Sequence, residues 1–444
     1  MVLAATADAV HMNTWTQARQ IADQTPAGRD RYIDFLRVAA ISLVVIGHWL
    51  MAVVWFEGGE VQISHLLAEA EWTHYLTWIL QPMPIFFIVG GFANAISWAA
   101  ATAKGHSYST WLQGRTARLL RPTMVFAGIW AIVAFVLVGL GIDPQLLRMG
   151  TQVVAVPLWF LAVYVGVVAI APVMIGLDRR FGWLVPAGLL AAAGLVDWMH
   201  HALAVPVVGW TNFLFVWLGV HQLGVRWQQK ALPVGTRGAI ALGTGGLFGL
   251  VSLTVFGPYP VSMVGVPGAE WTNNLPPTVG LMALAVFQLG MILTLREPVA
   301  RWLKRRSVWA AVILGNARIM TTYLWHMTAM VGVLGLSIWS GGFGFGIEPV
   351  GATWWWSRLV WIALLIVPLI ALIAVFGQFE QNRSSRQVSA LPVVLGVLAV
   401  MWGFATLAIG GFVTAGPASV AVMPAISVVA GSWLLGVRPG SAPR

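Results

Sequence analysis

The chain has 444 residues, of which 59% are hydrophobic and only 9% charged, and its mean hydropathy is +0.81. Soluble domains carry roughly 25% charged residues, so this composition excludes a string of soluble domains and describes a polytopic membrane protein. The net charge of +10 does not mark a nucleic-acid binder, because the cations are spaced regularly around apolar runs.

Residues 1–30 are polar and lack the apolar core of a cleavable leader, so they are read as a cytoplasmic tail. Membrane helices are then predicted near 34–56, 75–100, 119–141, 156–176, 182–198 and 207–224. Six more are predicted near 238–256, 278–295, 309–338, 353–376, 391–411 and 418–436. Each has about the 20 apolar residues a span needs. Pro82 and Pro84, followed by Gly90 and Gly91, are expected to break the second span. The stretch from Gly257 to Pro277 is too polar to span, and either folds over a site or simply connects.

Lys and Arg in the loops set the orientation. One side collects Arg29, Arg31, Lys104, Arg115, Arg118, Arg121, Arg179, Arg180, Arg226, Lys230 and Arg237. The run Arg301, Lys304, Arg305, Arg306 and then Arg383, Arg386 and Arg438 continue it. The other side holds Glu57, Glu60, Glu69, Glu71, Asp143, Asp197, Glu270 and Glu348, with Arg148 and Arg358 as its cations. This alternation predicts an all-α polytopic membrane protein of about twelve transmembrane helices, with both termini cytoplasmic.

The first span carries the sharpest chemical signal. Arg37 and His48 lie eleven residues apart in RYIDFLRVAAISLVVIGHWLMAVVWF. Eleven residues advance a helix by about 16 Å and turn it only about 20° past three full turns, so both side chains fall on one face. Ionisable residues inside a membrane are costly and are functional candidates by default. A neutral imidazole can take a proton from a hydroxyl and return it. A buried histidine merely bonded to a neighbouring helix is the alternative for His48. For Arg37 it is pairing with Asp34 or snorkelling to the surface.

Arg115, Arg118 and Arg121 repeat every three residues and fall within roughly a 120° arc. Such a guanidinium cluster suits phosphate groups, and equally suits anchoring at the membrane surface. Arg318 sits inside the apolar run that begins at Trp309, where a phosphate contact and a structural pair are both open. His326, eight residues further on in TTYLWHMTAM, either shares proton transfer with His48 or packs beside Tyr323. His200 and His201 are adjacent and do not converge on one metal, and no cysteine is present, so no metal site is expected. The 25 tryptophans read mostly as interfacial and packing residues.

The segments RYIDFLRVAAISLVVIGHW, QPMPIFFIVGGFAN, RTARLLRP, PLWFLAVY and YLWH, in that order, resemble the membrane acyltransferase-3 family of O-acyltransferases. The likeness covers about residues 31–376, leaving 377–444 as an additional two-helix segment and short tail. It implies transfer of an acyl group, often acetyl, from cytoplasmic acyl-CoA to a hydroxyl of an envelope polysaccharide or glycolipid across the membrane. It assigns catalysis to His48 and Arg37, and donor binding to Arg115, Arg118 and Arg121. His326 joins the catalytic set and Arg318 the donor-binding set as expectations from their depth in the bundle. Some members carry an extracytoplasmic esterase-like domain, and none stands in this sequence. The chain is therefore expected to finish the reaction itself or to pass the acyl group to a separate extracytoplasmic partner. The abundance of Trp, Ala, Gly and Val with few lysines suggests the plasma membrane of a GC-rich, actinobacterial host. A secondary transporter of a lipid-linked sugar is the rival reading, but two matching halves with paired broken helices are not visible. A scaffold for envelope enzymes does not account for the buried Arg and His.

Overall fold

The computed structural model describes residues 14–26, 28–57, 60–232, 235–380, 388–414 and 420–437. Residues 1–13 and 27 of the predicted tail, and the cations Arg383, Arg386 and Arg438, lie outside the described residues. A short α1 (Thr14–Asp23) precedes α2 (Arg31–Met51), which Asp30 caps by accepting from the amides of Tyr32 and Ile33. The first span is helical only to Met51 and not to the predicted residue 56, because β1 (Ala52–Glu57) leaves the helix and pairs antiparallel with β2 (Glu60–His65). Val53, Val54, Trp55 and Phe56 are β-branched or aromatic, and a Gly-Gly pair follows, the composition of a hairpin rather than a helix end. Helix α3 (Leu66–Glu69) closes the hairpin.

The second predicted span is two helices, α4 (Thr73–Leu80) and α5 (Met83–Ala103). The break falls at Gln81–Pro82 alone, and Gly90 and Gly91 are helical, contrary to the expected interruption there. Proline is tolerated in the first turn of α5, where its missing N–H has no helical partner. From another helix, the Gln288 amide donates to the carbonyls of Trp78 and Gln81, at 3.2 and 2.8 Å, and so satisfies backbone groups the break releases. The 257–277 stretch folds over the same break. Trp78 Nε1 donates to the Val261 carbonyl, Gln81 to that of Met263, and the Met263 amide to Thr77 Oγ1.

Next come α6 (Tyr108–Gly139), α7 (Pro144–Ala155), α8 (Leu158–Phe181) and α9 (Leu184–His201). They are followed by α10 (Pro206–Gly209), α11 (Asn212–Gln228), α12 (Gly235–Val255) and α13 (Val279–Trp302). The run predicted as one helix over 309–338 is α14 (Arg306–Ala317) and α15 (Ile319–Trp339), separated at Arg318. Then α16 (Ala352–Phe376) ends in a 3₁₀ turn, Gly377–Glu380, and α17 (Ala390–Gly410) and α18 (Val422–Leu434) follow.

The described chain is almost entirely helical. Nine helical segments among the described residues are long and apolar enough to cross a membrane, which makes this a multi-pass membrane protein. Three of the twelve predicted spans coincide with α9, α11 and α18, which are outside that set. One end of the bundle gathers the start of α2, the end of α13 and the start of α14. There Arg296 pairs with Asp30 at 2.9 Å, Arg306 pairs with Asp23, and Arg31 donates to the Leu303 carbonyl.

Candidate active site

Glycine brings two helices of the site together. On α5, a β-carbon at Gly91 would collide with the His221 carbonyl of α11, and one at Gly224 would collide with the Ile88 carbonyl of α5. Only glycine lets these backbones approach so closely. Gly90 beside them leaves room for the Tyr164 ring from α8, and Arg115 of α6 lies close to that residue. A polar contact in this seam joins Asn94 Nδ2 to His221 Nε2 at 3.1 Å. His221 carries little signal in the sequence because it stands in an apolar run with no second histidine nearby.

Arg37 forms the i−3 pair with Asp34, at 3.3 Å, that its spacing allowed. The Asp34 carbonyl accepts from Asn316 Nδ2, and the Asn316 carbonyl accepts from Arg118 at 2.8 Å. Arg115 lies within electrostatic reach of Arg37 and Arg118. Arg37 of α2, through Asp34, and Arg118 of α6 thus meet at the end of α14, with Arg115 one turn before Arg118 on α6. Arg121 is buried deeper along α6. Arg318 is turned elsewhere: its guanidinium donates to the Gly377 carbonyl at 2.6 Å and ties the break to the end of α16.

Glu380 completes that tie. Its carboxylate accepts from the amides of Met320 and Thr321 and from Thr321 Oγ1, at 3.0, 3.1 and 3.0 Å. A carboxylate on the first amides of α15 satisfies donors that the helix cannot and complements the positive end of its dipole. Little in the residues marks it, since an acid just past an apolar run reads as the start of a loop.

Deeper along α2, His48 meets His326. Their nearest nitrogens, His48 Nδ1 and His326 Nε2, are 2.8 Å apart, while the ring centroids are 5.1 Å apart with planes within 4°. Rings so placed meet edge to edge in one plane, not face to face. The other His326 nitrogen, Nδ1, is 2.6 Å from the Tyr323 carbonyl. A carbonyl only accepts, so Nδ1 of His326 carries a proton. With both rings neutral, His326 Nε2 is then an acceptor, His48 Nδ1–H donates to it, and the remaining lone pair lies on His48 Nε2. The second hydrogen bond fixes the tautomer of the first ring. Tyr323 is itself held, its hydroxyl donating to the Pro157 carbonyl at 2.7 Å, and Trp49 Nε1 donates to the His326 carbonyl at 3.1 Å.

His326 is fully buried, whereas His48 and Tyr323 line a cavity of about 2130 Å³. The five candidate arginines do not line it. They form a second level, about three turns away along α2. His65, at the end of β2, lines the cavity too. It accepts the Leu67 amide at Nδ1, and burial holds its imidazole below the ordinary value, so its ring is neutral with the proton on Nε2. His200 and His201 stay apart from this centre; His201 stacks on Trp271 with centroids 3.5 Å apart. Among the described residues no group of three or more His, Asp or Glu could hold a metal ion.

A deep histidine pair, with His48 lining a membrane cavity, and arginines of α2 and α6 about three turns away lie within one multi-pass membrane protein. A family model described as an acyltransferase domain matches residues 30–377. The chain belongs to the acyltransferase-3 family and is an acyltransferase, and membership implies an acyl-CoA-like co-substrate. No curated protein matches the chain, and no solved structure does.

Proposed function

We propose that this protein moves an acyl group, acetyl being the expected one, from cytoplasmic acyl-CoA to a hydroxyl of an extracytoplasmic glycan or glycolipid. The observation that carries the reading is the in-plane relay from Tyr323 O through His326 to His48, which leaves a lone pair on His48 Nε2 at the cavity. In this mechanism His48 Nε2 takes the acceptor hydroxyl proton as the oxygen attacks the thioester carbonyl. The C–O bond forms, the C–S bond breaks, and the CoA thiolate leaves with the proton that His48 returns. His326 touches neither reactant; it positions the ring and accepts from the imidazolium that forms, as the third group of a nucleophile–base system does.

The arginine level is read as the cytoplasmic donor end. Arg37, Arg115 and Arg118 would grip the phosphates of CoA, with Arg121 behind them, while the pantetheine arm runs along α2 toward His48. Arg318 supports this level by holding the break rather than by gripping phosphate. Both termini lie on the same cytoplasmic side in this reading, and residues 377–444 are an addition to the 31–376 core. The glycan or glycolipid receives the acyl group directly, or through a separate extracytoplasmic partner.

The test uses full-length protein in liposomes with radiolabelled acetyl-CoA and envelope glycolipids. Label should appear on a glycolipid, be lost in His48→Ala, and fall in Arg37→Ala at acetyl-CoA concentrations below the wild-type KM. Wild-type rates in His48→Ala, or acceptor movement without acylation, would overturn the reading.

A further inference from the structure

Helix α17 lies beyond residues 30–377, yet it walls the cavity that His48 faces. Its lining residues Val394, Val397, Leu398, Met401, Ala405 and Ile409 recur at three- and four-residue steps and form one stripe. From Val394 to Ile409 that stripe runs about 22 Å along the helix. The opposite face is committed to α18, where Gly396 abuts the Gly431 carbonyl and Gly403 the Pro424 carbonyl.

The wall is fixed in place. Met401 reaches across to Gly166 of α8, where a β-carbon would clash with its thioether. Gln152 of α7 donates to the Ile409 carbonyl at 2.8 Å. Just past the helix, Phe412 is fully buried, against Trp130 and Phe126 of α6.

The chemistry of this wall differs from that of the reactive end. Polar lining residues come from other elements, Ser64, His65, Thr73, Thr77 and Gln81 on one side and Thr151 and Gln152 of α7 on another, whereas α17 itself offers the cavity only aliphatic and thioether side chains. A cavity of about 2130 Å³ exceeds the roughly 300–1,000 Å³ of a drug-sized site and dwarfs an acetyl group. Six methionines, Met51, Met83, Met149, Met327, Met330 and Met401, line it, and such side chains adapt to flexible apolar ligands.

We infer that α17 forms the binding wall for an extended hydrocarbon chain carried by one of the two reactants, and so sets which chain lengths the site accepts. The inference rests on the acyl-transfer reading of His48. The chain belongs either to the acyl group of the donor or to the lipid tail of the acceptor. Both present the same chemistry to α17.

The test is photolabelling of the full-length protein in nanodiscs, with the labelled residues found by mass spectrometry. Three probes each carry a diazirine near the chain end: a hexadecanoyl-CoA, a hexadecyl maltoside and a phosphatidylcholine reporting bulk lipid. One of the first two should label Val397, Met401 or Ala405 well above the phosphatidylcholine probe; the first identifies the donor chain and the second the acceptor tail. Ala405→Trp, or Val397→Trp should the first variant not fold, should cut that labelling by roughly tenfold, the scale on which apolar pockets discriminate size. Labelling of Val367 and Ile370 on the exposed face of α16 should not change. Equal labelling of α17 by all three probes, or none of it blocked by the tryptophans, would mean bulk lipid only and overturn the inference. Labelling needs no turnover. If transfer proves independent of His48 while α17 still binds a chain, the acyl-transfer reading falls; if transfer holds without chain labelling, only the role of α17 falls.

Discussion

Two histidine pairs in this molecule are built in opposite ways. His200 and His201 are neighbours in the chain, and their rings meet at 72° near the end of α9, where His201 stacks on Trp271. His48 and His326 are 278 residues apart, yet share a plane and a 2.8 Å hydrogen bond at a cavity. Adjacency in sequence aims two rings differently, whereas convergence of two helices aligns them. The second arrangement leaves a defined lone pair free, and the first leaves a packing contact.

The sharpest way to break this contrast is His48→Ala, which should lower acyl transfer by about 10²–10⁴-fold, the range for a lost general base, while the purified protein keeps its thermal unfolding transition. His326→Ala should cost less, about a hundredfold, because the base remains but its tautomer is no longer held. His326→Gln, whose amide oxygen can accept from His48 Nδ1–H, should recover part of that loss. Equal rates for Gln and Ala would show that His326 only fills space.

The arginines sharpen the comparison at the other level of α2. Arg37→Ala should raise the KM for acyl-CoA by roughly tenfold with a smaller change in kcat, the pattern of lost uniform binding. Arg318→Ala should leave that KM alone and instead lower stability by about 1.5–3 kcal/mol, since it removes a charged donor from the Gly377 carbonyl. Glu380→Gln, read by thermal unfolding, should cost about 1–2 kcal/mol through the weakened cap of α15. Smallest of all, His201→Ala should cost about 0.5–1.5 kcal/mol for its ring contact and leave transfer unchanged.

Part of this site was legible in the residues themselves. Arg37 and His48 could be placed on one face because both lie within a single regular helix. The quoted motifs also meet in space: Tyr164 of PLWFLAVY lies close to Arg115 of RTARLLRP and against Gly90, and Tyr323 of YLWH bonds to Pro157 of PLWFLAVY. Hydropathy alone could not separate strand from helix in residues 52–57, nor see the breaks at Gln81 and Arg318, because an apolar run stays apolar when its backbone turns. Those breaks persist where distant side chains, Gln288 and Glu380, satisfy the freed backbone groups. Gly90 and Gly91 misled for the same reason. Their use is close approach, which depends on the neighbouring helix and not on local propensity.

The central claim is that His48 acts as a base in direct transfer. It is tested most directly by incubating the full-length protein with radiolabelled acetyl-CoA without acceptor, denaturing it, and counting protein-bound label before envelope glycolipids are added to a parallel sample. Direct transfer predicts no covalent label above that of His48→Ala in the first sample, and labelled glycolipid in the second. A stoichiometric acyl-enzyme that forms without acceptor and disappears in His48→Ala would contradict it.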